Sequence, residues 1–211
     1  MPRRISDSTI RRLSHYLRAL EAMKRAGAAT VSSDELAEGG GTTAAQVRKD
    51  LSQFGSFGKR GLGYDVRGLR ARLLGILGLD RRWRVVLVGA GRIGSALFEY
   101  PNFALRGFDC VAVVDADPRK VGTRWGLVRI RPAEELEEVV RESAADLIIV
   151  AVPPEAAQNV ANRAVAAGVK GILNFAAVKL RVPPAVPLTN VNLVMELEGL
   201  SFAVTQIGKD A

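Results

Sequence analysis

The spacing of apolar residues changes along this chain, and the change divides it. Over the first 80 residues they recur at helical intervals. Ile10, Leu13, Tyr16, Leu17, Leu20 and Met23 predict a first helix, opened by Ser6 or Ser8 and ended by Gly27. Residues 30–38 predict a short second helix with a serine cap and acids in its first turn, broken by Gly39-Gly40-Gly41. A third helix, 44–54, starts at Thr42 or Thr43 and turns Val47, Leu51 and Phe54 inward. Leu69, Leu73, Leu74, Ile76 and Leu77 predict a fourth over 68–79. From Arg84 the pattern becomes strand–helix alternation. Residues 85–88, 108–115, 147–152, 171–176 and 186–191 read as buried strands. Helices are expected after Gly94 as far as Tyr100 (where Pro101 stops the first), over 132–143 and over 155–167. That order predicts an α/β, Rossmann-like doubly wound parallel sheet behind a mainly helical head. Leu193, Leu197, Leu200 and Val204 fall on one face of a last helix. The expected division is 1–80, 81–190 and a terminal helical segment, 191–211.

Two stretches carry chemistry. In the second half, the strand at 85–88 runs into Gly89-Ala90-Gly91-Arg92-Ile93-Gly94, a G-x-G-x-x-G turn followed by a helix. Strand before, helix after and an acid at the end of the next strand are the context a dinucleotide site requires. The turn brings backbone close to a pyrophosphate, and the helix start offers N–H groups. Asp115, 21 positions beyond Gly94, is placed to take both hydroxyls of an adenosine ribose, which favours NAD(H) over its 2′-phosphorylated form. In the first half, the predicted second and third helices are joined by a glycine-containing turn, as in a helix-turn-helix. The third helix offers Gln46, Arg48, Lys49, Ser52 and Gln53 to a DNA groove. Residues 55–66 hold four glycines around Lys59-Arg60, a hairpin with a basic tip that suits the wing of a winged helix.

Charge sharpens this division. Lys and Arg outnumber Asp and Glu 17 to 8 over residues 1–84, whereas 85–211 hold 13 and 14. All of the net +8 therefore sits ahead of the glycine-rich turn, which suits a polyanionic partner. No apolar run reaches the ~18–20 residues of a membrane span, and no metal-ligand cluster is visible. The single cysteine, Cys110, cannot form an internal disulfide, which fits a reducing cytoplasm. The only histidine, His15, falls in the first helix, far along the chain from any nicotinamide. Without a placed general acid–base the second half reads as a binder of its cofactor, not an enzyme that consumes it.

The residues Gln46-Val47-Arg48-Lys49-Asp50-Leu51-Ser52 and Phe54-Gly55-Ser56-Phe57-Gly58-Lys59-Arg60-Gly61-Leu62-Gly63-Tyr64 closely resemble the winged-helix signature of the bacterial redox-sensing repressor family Rex. The resemblance continues through 89–94, Tyr100-Pro101, 151–153 and 171–176. It implies a homodimer, with its C-terminal helix exchanged between subunits, that binds double-stranded, inverted-repeat operator DNA while NADH is scarce and is released as the NADH/NAD+ ratio rises. By position it puts Gln46, Arg48, Lys49, Ser52, Lys59, Arg60 and Tyr64 on DNA. It puts Gly89, Ala90, Gly91, Arg92, Ile93, Gly94 and Asp115 on the adenosine and pyrophosphate. Ala151, Val152, Pro153, Asn174, Phe175 and Ala176 would border the nicotinamide, with Phe108 contributed across the dimer. Tyr100 in relatives bonds a carboxylate in alternation with an arginine matching Arg18; here that carboxylate position is Asn192. Gly39 and Thr42 replace apolar residues usual at the helix-turn-helix turn, and Ala177 stands where relatives often carry proline. The alternatives are a small NAD-dependent oxidoreductase with a basic extension, and a CoA-binding Rossmann protein, against which Asp115 argues.

Overall fold

The computed structural model describes residues 5–59 and 62–207. Contacts gather the chain into two units, Met1–Arg81 and Arg82–Ala211.

In the first unit, α1 (Asp7–Arg25) starts at Ser6, whose hydroxyl accepts from the N–H of Thr9. After β1 (Thr30–Val31), Ser32 and Glu35 form a reciprocal capping box that starts α2 (Ser33–Gly40). The glycine run does not break this helix where expected. Gly39 and Gly40 are helical, and only Gly41 turns left-handed to end it. A Cβ at Gly39 would stand 2.7 Å from that of Ala19, so the glycine lets α2 lie against α1. The missing apolar side chain is thus replaced by close backbone approach. Thr43 caps α3 (Ala44–Ser52). β2 (Gly58–Lys59) and β3 (Gly63–Asp65) form the expected hairpin, and β1, which the sequence pattern did not reveal, adds antiparallel to β3. Asp65 caps α4 (Val66–Ile76). Leu13, Leu17, Leu20, Leu36, Val47, Leu51 and Leu73 meet in one core.

The second unit is a seven-stranded sheet in the order β10-β9-β8-β4-β5-β7-β6. Its strands are β4 (Trp83–Val88), β5 (Phe108–Asp115), β6 (Arg124–Trp125), β7 (Val128–Pro132), β8 (Leu147–Val150), β9 (Gly171–Asn174) and β10 (Leu188–Asn190). All pairs are parallel except the β6–β7 hairpin. With the hairpin set aside, this is the doubly wound order in which the chain starts at the centre, builds outward, then crosses back to β8. α7 (Leu136–Glu142) and α8 (Pro154–Ala166) cover one face over Val86, Val88, Ile148 and Val150. Among the described residues the opposite face carries α5 (Arg92–Phe98) and α6 (Pro101–Leu105) over Val85, Leu87, Val113 and Ile149. Pro101 begins α6 at a position that needs no N–H, where the pattern had it only as a stop. The final helix, α9 (Leu193–Ile207), has no buried residue: Leu193, Val194, Met195, Leu197, Leu200, Phe202, Val204 and Ile207 are each 61–72% exposed.

Candidate nucleotide cleft and DNA-reading surface

The nucleotide cleft forms at the switch point between β4 and β8. From there the chain leaves toward α5 on one face and α8 on the other, which opens a crevice at the carboxyl ends of the strands. Here the sequence works by omission. Gly89 has φ +103°, and a Cβ on it would collide with the Ala151 carbonyl. A Cβ on Gly94 would collide with the Gly89 carbonyl, so α5 sits on the loop with no room for a side chain. Gly91 is different: a Cβ there meets nothing within 4 Å. Two tightly packed glycines thus frame an open lip. Gly91 caps α5 without any side-chain hydrogen bond, which leaves the orphan N–H groups of the first turn to an incoming anion. The residues present therefore fit a dinucleotide pyrophosphate. Arg92 and Ile93 are exposed at this lip.

Asp115 stands at the carboxyl end of β5. Its buried carboxylate accepts from the backbone N–H of Ala90 at 2.6 Å and of Asp117 at 2.7 Å, with Lys120 Nζ at 3.4 Å. The acid expected on the ribose thus also braces the glycine loop. The reason is local: a strand-end carboxylate beside the turn is the nearest acceptor for a loop N–H that no strand pairs. Asp117 is held by Arg119 through a bidentate pair, which keeps its carboxyl depressed to about 2.

Asn174 also holds a loop. It is fully buried: its amide donates to the carbonyls of Ala176 and Val178 and to Asn190 Oδ1, and its oxygen accepts from the N–H of Ala176. It shapes the loop that presents Phe175, while Ala176 is buried beside it. Ala151 and Val152 are half-buried and Pro153 is exposed at the same carboxyl edge. Phe108 lies at the other end of β5, about 23 Å of extended strand from Asp115. There it lines an apolar hollow of about 490 Å³ with Val85, Leu87, Phe98, Tyr100 and Cys110. It is therefore remote from the glycine loop of its own chain. Burial pushes the Cys110 thiol up to about 11 and keeps it protonated.

In the first unit, α3 exposes Arg48, Lys49, Ser52 and Gln53 and keeps Gln46 half-buried. Beneath them lies a group the sequence reading did not single out. Asp50 is 0% exposed and accepts from Arg12 Nε (2.6 Å) and a terminal guanidinium nitrogen (2.8 Å), Tyr16 Oη (3.0 Å) and Gln46 Nε2 (2.7 Å). Burial alone would raise this carboxyl, but the donors outweigh it and hold it below the ordinary range. Burial first, then the Asp50 hydrogen bond, pushes the Tyr16 phenol up to about 12. The signal was present in two (i, i+4) pairs, Arg12/Tyr16 and Gln46/Asp50, polar positions on otherwise inward faces.

A cleft of about 550 Å³ runs beside α3 toward the wing, lined by Ser32, Ser33, Arg48, Ser52, Ser56 and Tyr64 among others. Tyr64, expected on DNA, has its ring in the core, and its hydroxyl lies 3.3 Å from Ser33 Oγ. Alternation along β3 directs it inward. Arg72 lies 5.2 Å over the ring of Phe57, at the approach to the wing. Arg60 falls outside the described residues, and of Lys59 only the backbone is described.

Of the three residues expected to form a switch, Arg18 is exposed on α1. Tyr100 is exposed on the α5–α6 connection, edge-on to Phe103 at 5.3 Å. Asn192 Oδ1 accepts from the N–H groups of Val194 and Met195, so this residue caps α9.

Residues 4–52 match the family described as "Putative DNA-binding protein N-terminus", and 80–178 match "CoA binding domain". The chain is 50% identical over 201 residues to the redox-sensing transcriptional repressor Rex of Carboxydothermus hydrogenoformans, covering 95% of this chain and 97% of that one. It belongs to the Rex family. The Rex of Streptomyces coelicolor is 44% identical over 95% of this chain and 78% of its own. A solved structure described as RSP in complex with beta-NAD+ and operator DNA superposes with a TM-score of 0.92 at 37% identity, covering 97% of this chain and 94% of that one. RSP in complex with beta-NADH gives 0.86 at 36% identity, over 97% and 96%. A winged-helix head and a Rossmann-like body are thus the fold of this Rex-family chain. No helix among the described residues is long and apolar enough to cross a membrane, and no cluster of three or more metal-ligating side chains occurs among them.

Proposed function

We propose that this protein is a cytoplasmic, homodimeric transcriptional repressor that reads the NADH/NAD+ ratio, holding inverted-repeat operator DNA while NADH is scarce and releasing it when NADH binds. The observation that carries the reading is one chain holding both a glycine cleft open only at Gly91 and a basic helix-turn-helix. The dinucleotide supplies the redox signal through its nicotinamide. The chain's own residues bind and orient it: the α5 first turn faces the pyrophosphate, Asp115 fixes the loop, and Val152, Pro153 and Phe175 border the nicotinamide end. Asp115 acts on the ribose side mainly by holding the loop in shape. On DNA, Arg48, Lys49, Lys59 and Arg60 take phosphates, and Ser52 adds a hydroxyl.

What supports the dimer is α9 and the apolar hollow that holds Phe108 and Tyr100. Eight large apolar side chains on one helix call for a cover, and a two-fold partner matches a two-fold operator. In this pairing Phe108 reaches the partner's nicotinamide end. Asn192 has no charge and gives its oxygen to the α9 cap, so a bond between it and Tyr100 would be a neutral one.

The test uses a duplex enriched from a randomised pool by the full-length chain. Binding is followed by fluorescence anisotropy against NADH, with NAD+ and coenzyme A as parallel titrants. NADH is expected to release the duplex at concentrations where NAD+ and coenzyme A do not. Equal effects of NADH and NAD+ contradict the proposal, and release by coenzyme A alone supports the CoA-binding alternative.

A further inference from the structure

Gln46 sits in the first turn of α3, the part of a recognition helix that meets base edges. Its amide is not free to choose which end it shows. Nε2 donates to Asp50 Oδ1 at 2.7 Å, and the carboxylate is held in place by Arg12 and Tyr16. Turning the amide over would set Gln46 Oε1 against a buried carboxylate oxygen, acceptor facing acceptor, at a site where unpaired charge is costly. Oε1 makes no hydrogen bond within the described residues. The side chain is half-buried; beside the second hydrogen of Nε2, this oxygen is the acceptor it has left to offer, in a place the Asp50 bond fixes.

We infer that Gln46 reads one base pair in each half-site as a hydrogen-bond acceptor, and that Asp50 is the positioning residue that imposes this orientation. The partner group is an exocyclic amine in the major groove, the N6 amine of adenine or the N4 amine of cytosine. Guanine O6 or thymine O4 at the same place would face Oε1 as a second acceptor and be rejected. Arg48 and Lys49 contribute charge to any sequence; Gln46 contributes selection. The inference rests on the DNA-binding reading of the first unit.

The test again uses full-length chain and a duplex enriched from a randomised pool, with every base pair of one half-site then varied singly. Gln46→Ala is expected to lose about tenfold discrimination at one base pair and leave the rest unchanged. At that position, an analogue without the amine (purine for adenine, or 2-pyrimidinone for cytosine) is expected to weaken the unsubstituted protein by the same factor. It should cost Gln46→Ala nothing further. Asp50→Asn, whose side chain can donate as well as accept, is expected to abolish that coupling by letting the amide turn over. Should Asp50→Asn fail to fold, as judged by thermal melting, Gln46→Ala with the analogue still decides. Losses that add, an analogue that binds the unsubstituted protein equally well, or uniform weakening at every base pair overturns the inference. A chain that enriches no sequence at all contradicts the DNA-binding reading itself, so the two failures are distinguishable.

Discussion

The two units hold their working surfaces by opposite means. The cleft of the second unit is shaped by what its residues lack: Gly89 and Gly94 leave no space for even one carbon, and backbone meets backbone. The reading surface of the first unit is shaped by what its residues carry: four donors converge on one buried carboxylate under α3. A steric device fails all at once and is indifferent to pH and salt. A polar device can be weakened in steps, by acid, by ionic strength or by removing one donor.

The largest effect should come from Gly94→Ala. Its Cβ has a backbone carbonyl in its way, so overpacking should cost more than the usual ~1–3 kcal/mol and close the lip at Gly91. NADH binding followed by nucleotide fluorescence should be lost, while the full-length chain keeps its affinity for duplex but no longer releases it on NADH addition. Retained NADH affinity would break the comparison. Next is Asp50→Ala, which leaves Arg12 without its carboxylate and with only the Thr9 hydroxyl to bond. A fully buried broken pair costs about 3–5 kcal/mol; Arg12 keeps some solvent contact, so about 2–3 is expected. Denaturant unfolding should show this loss with NADH affinity unchanged. Smaller still is the pair Lys59→Ala and Arg60→Ala. Each phosphate contact removed should lower the slope of log affinity against log salt by about 0.9, without altering base preference.

The smallest effect is the acid response. Asp50 titrates below the ordinary carboxylate range when folded, so it binds its proton less readily than in the unfolded chain. Its stabilisation is complete above the unfolded value of about 3.9 and is lost as pH falls from there through the folded value. Melting of the full chain between pH 6 and pH 3 should show the first unit losing stability only at the acid end. A loss already present at pH 6 would point to a different titrating group.

What the sequence made legible follows the same division. Period and caps announced α1, α3, β4, β5 and α8, because long amphipathic or wholly apolar runs leave little choice of structure. β1 and β6 escaped because two residues carry no period, and β7 because its arginines and closing proline mask the alternation. The glycine turn was readable because its motif states a backbone geometry. The side chains around it were less so: that Asp115 and Asn174 also brace loops, and that the Tyr64 ring joins the core, does not show in one dimension. Asp50 shows the reverse error. A carboxylate within a basic helix reads as surface until α1 is seen to bring Arg12 and Tyr16 to it.

The central claim is that cleft and reading surface are coupled, and coupling is reciprocal. The most direct measurement is NADH affinity of the full-length protein with and without saturating enriched duplex, beside duplex affinity with and without saturating NADH. The account predicts that duplex weakens NADH binding by the same factor by which NADH weakens duplex binding, within the usual range of about 5–150-fold. A factor of one in both directions would show two independent binding units on one chain and contradict it.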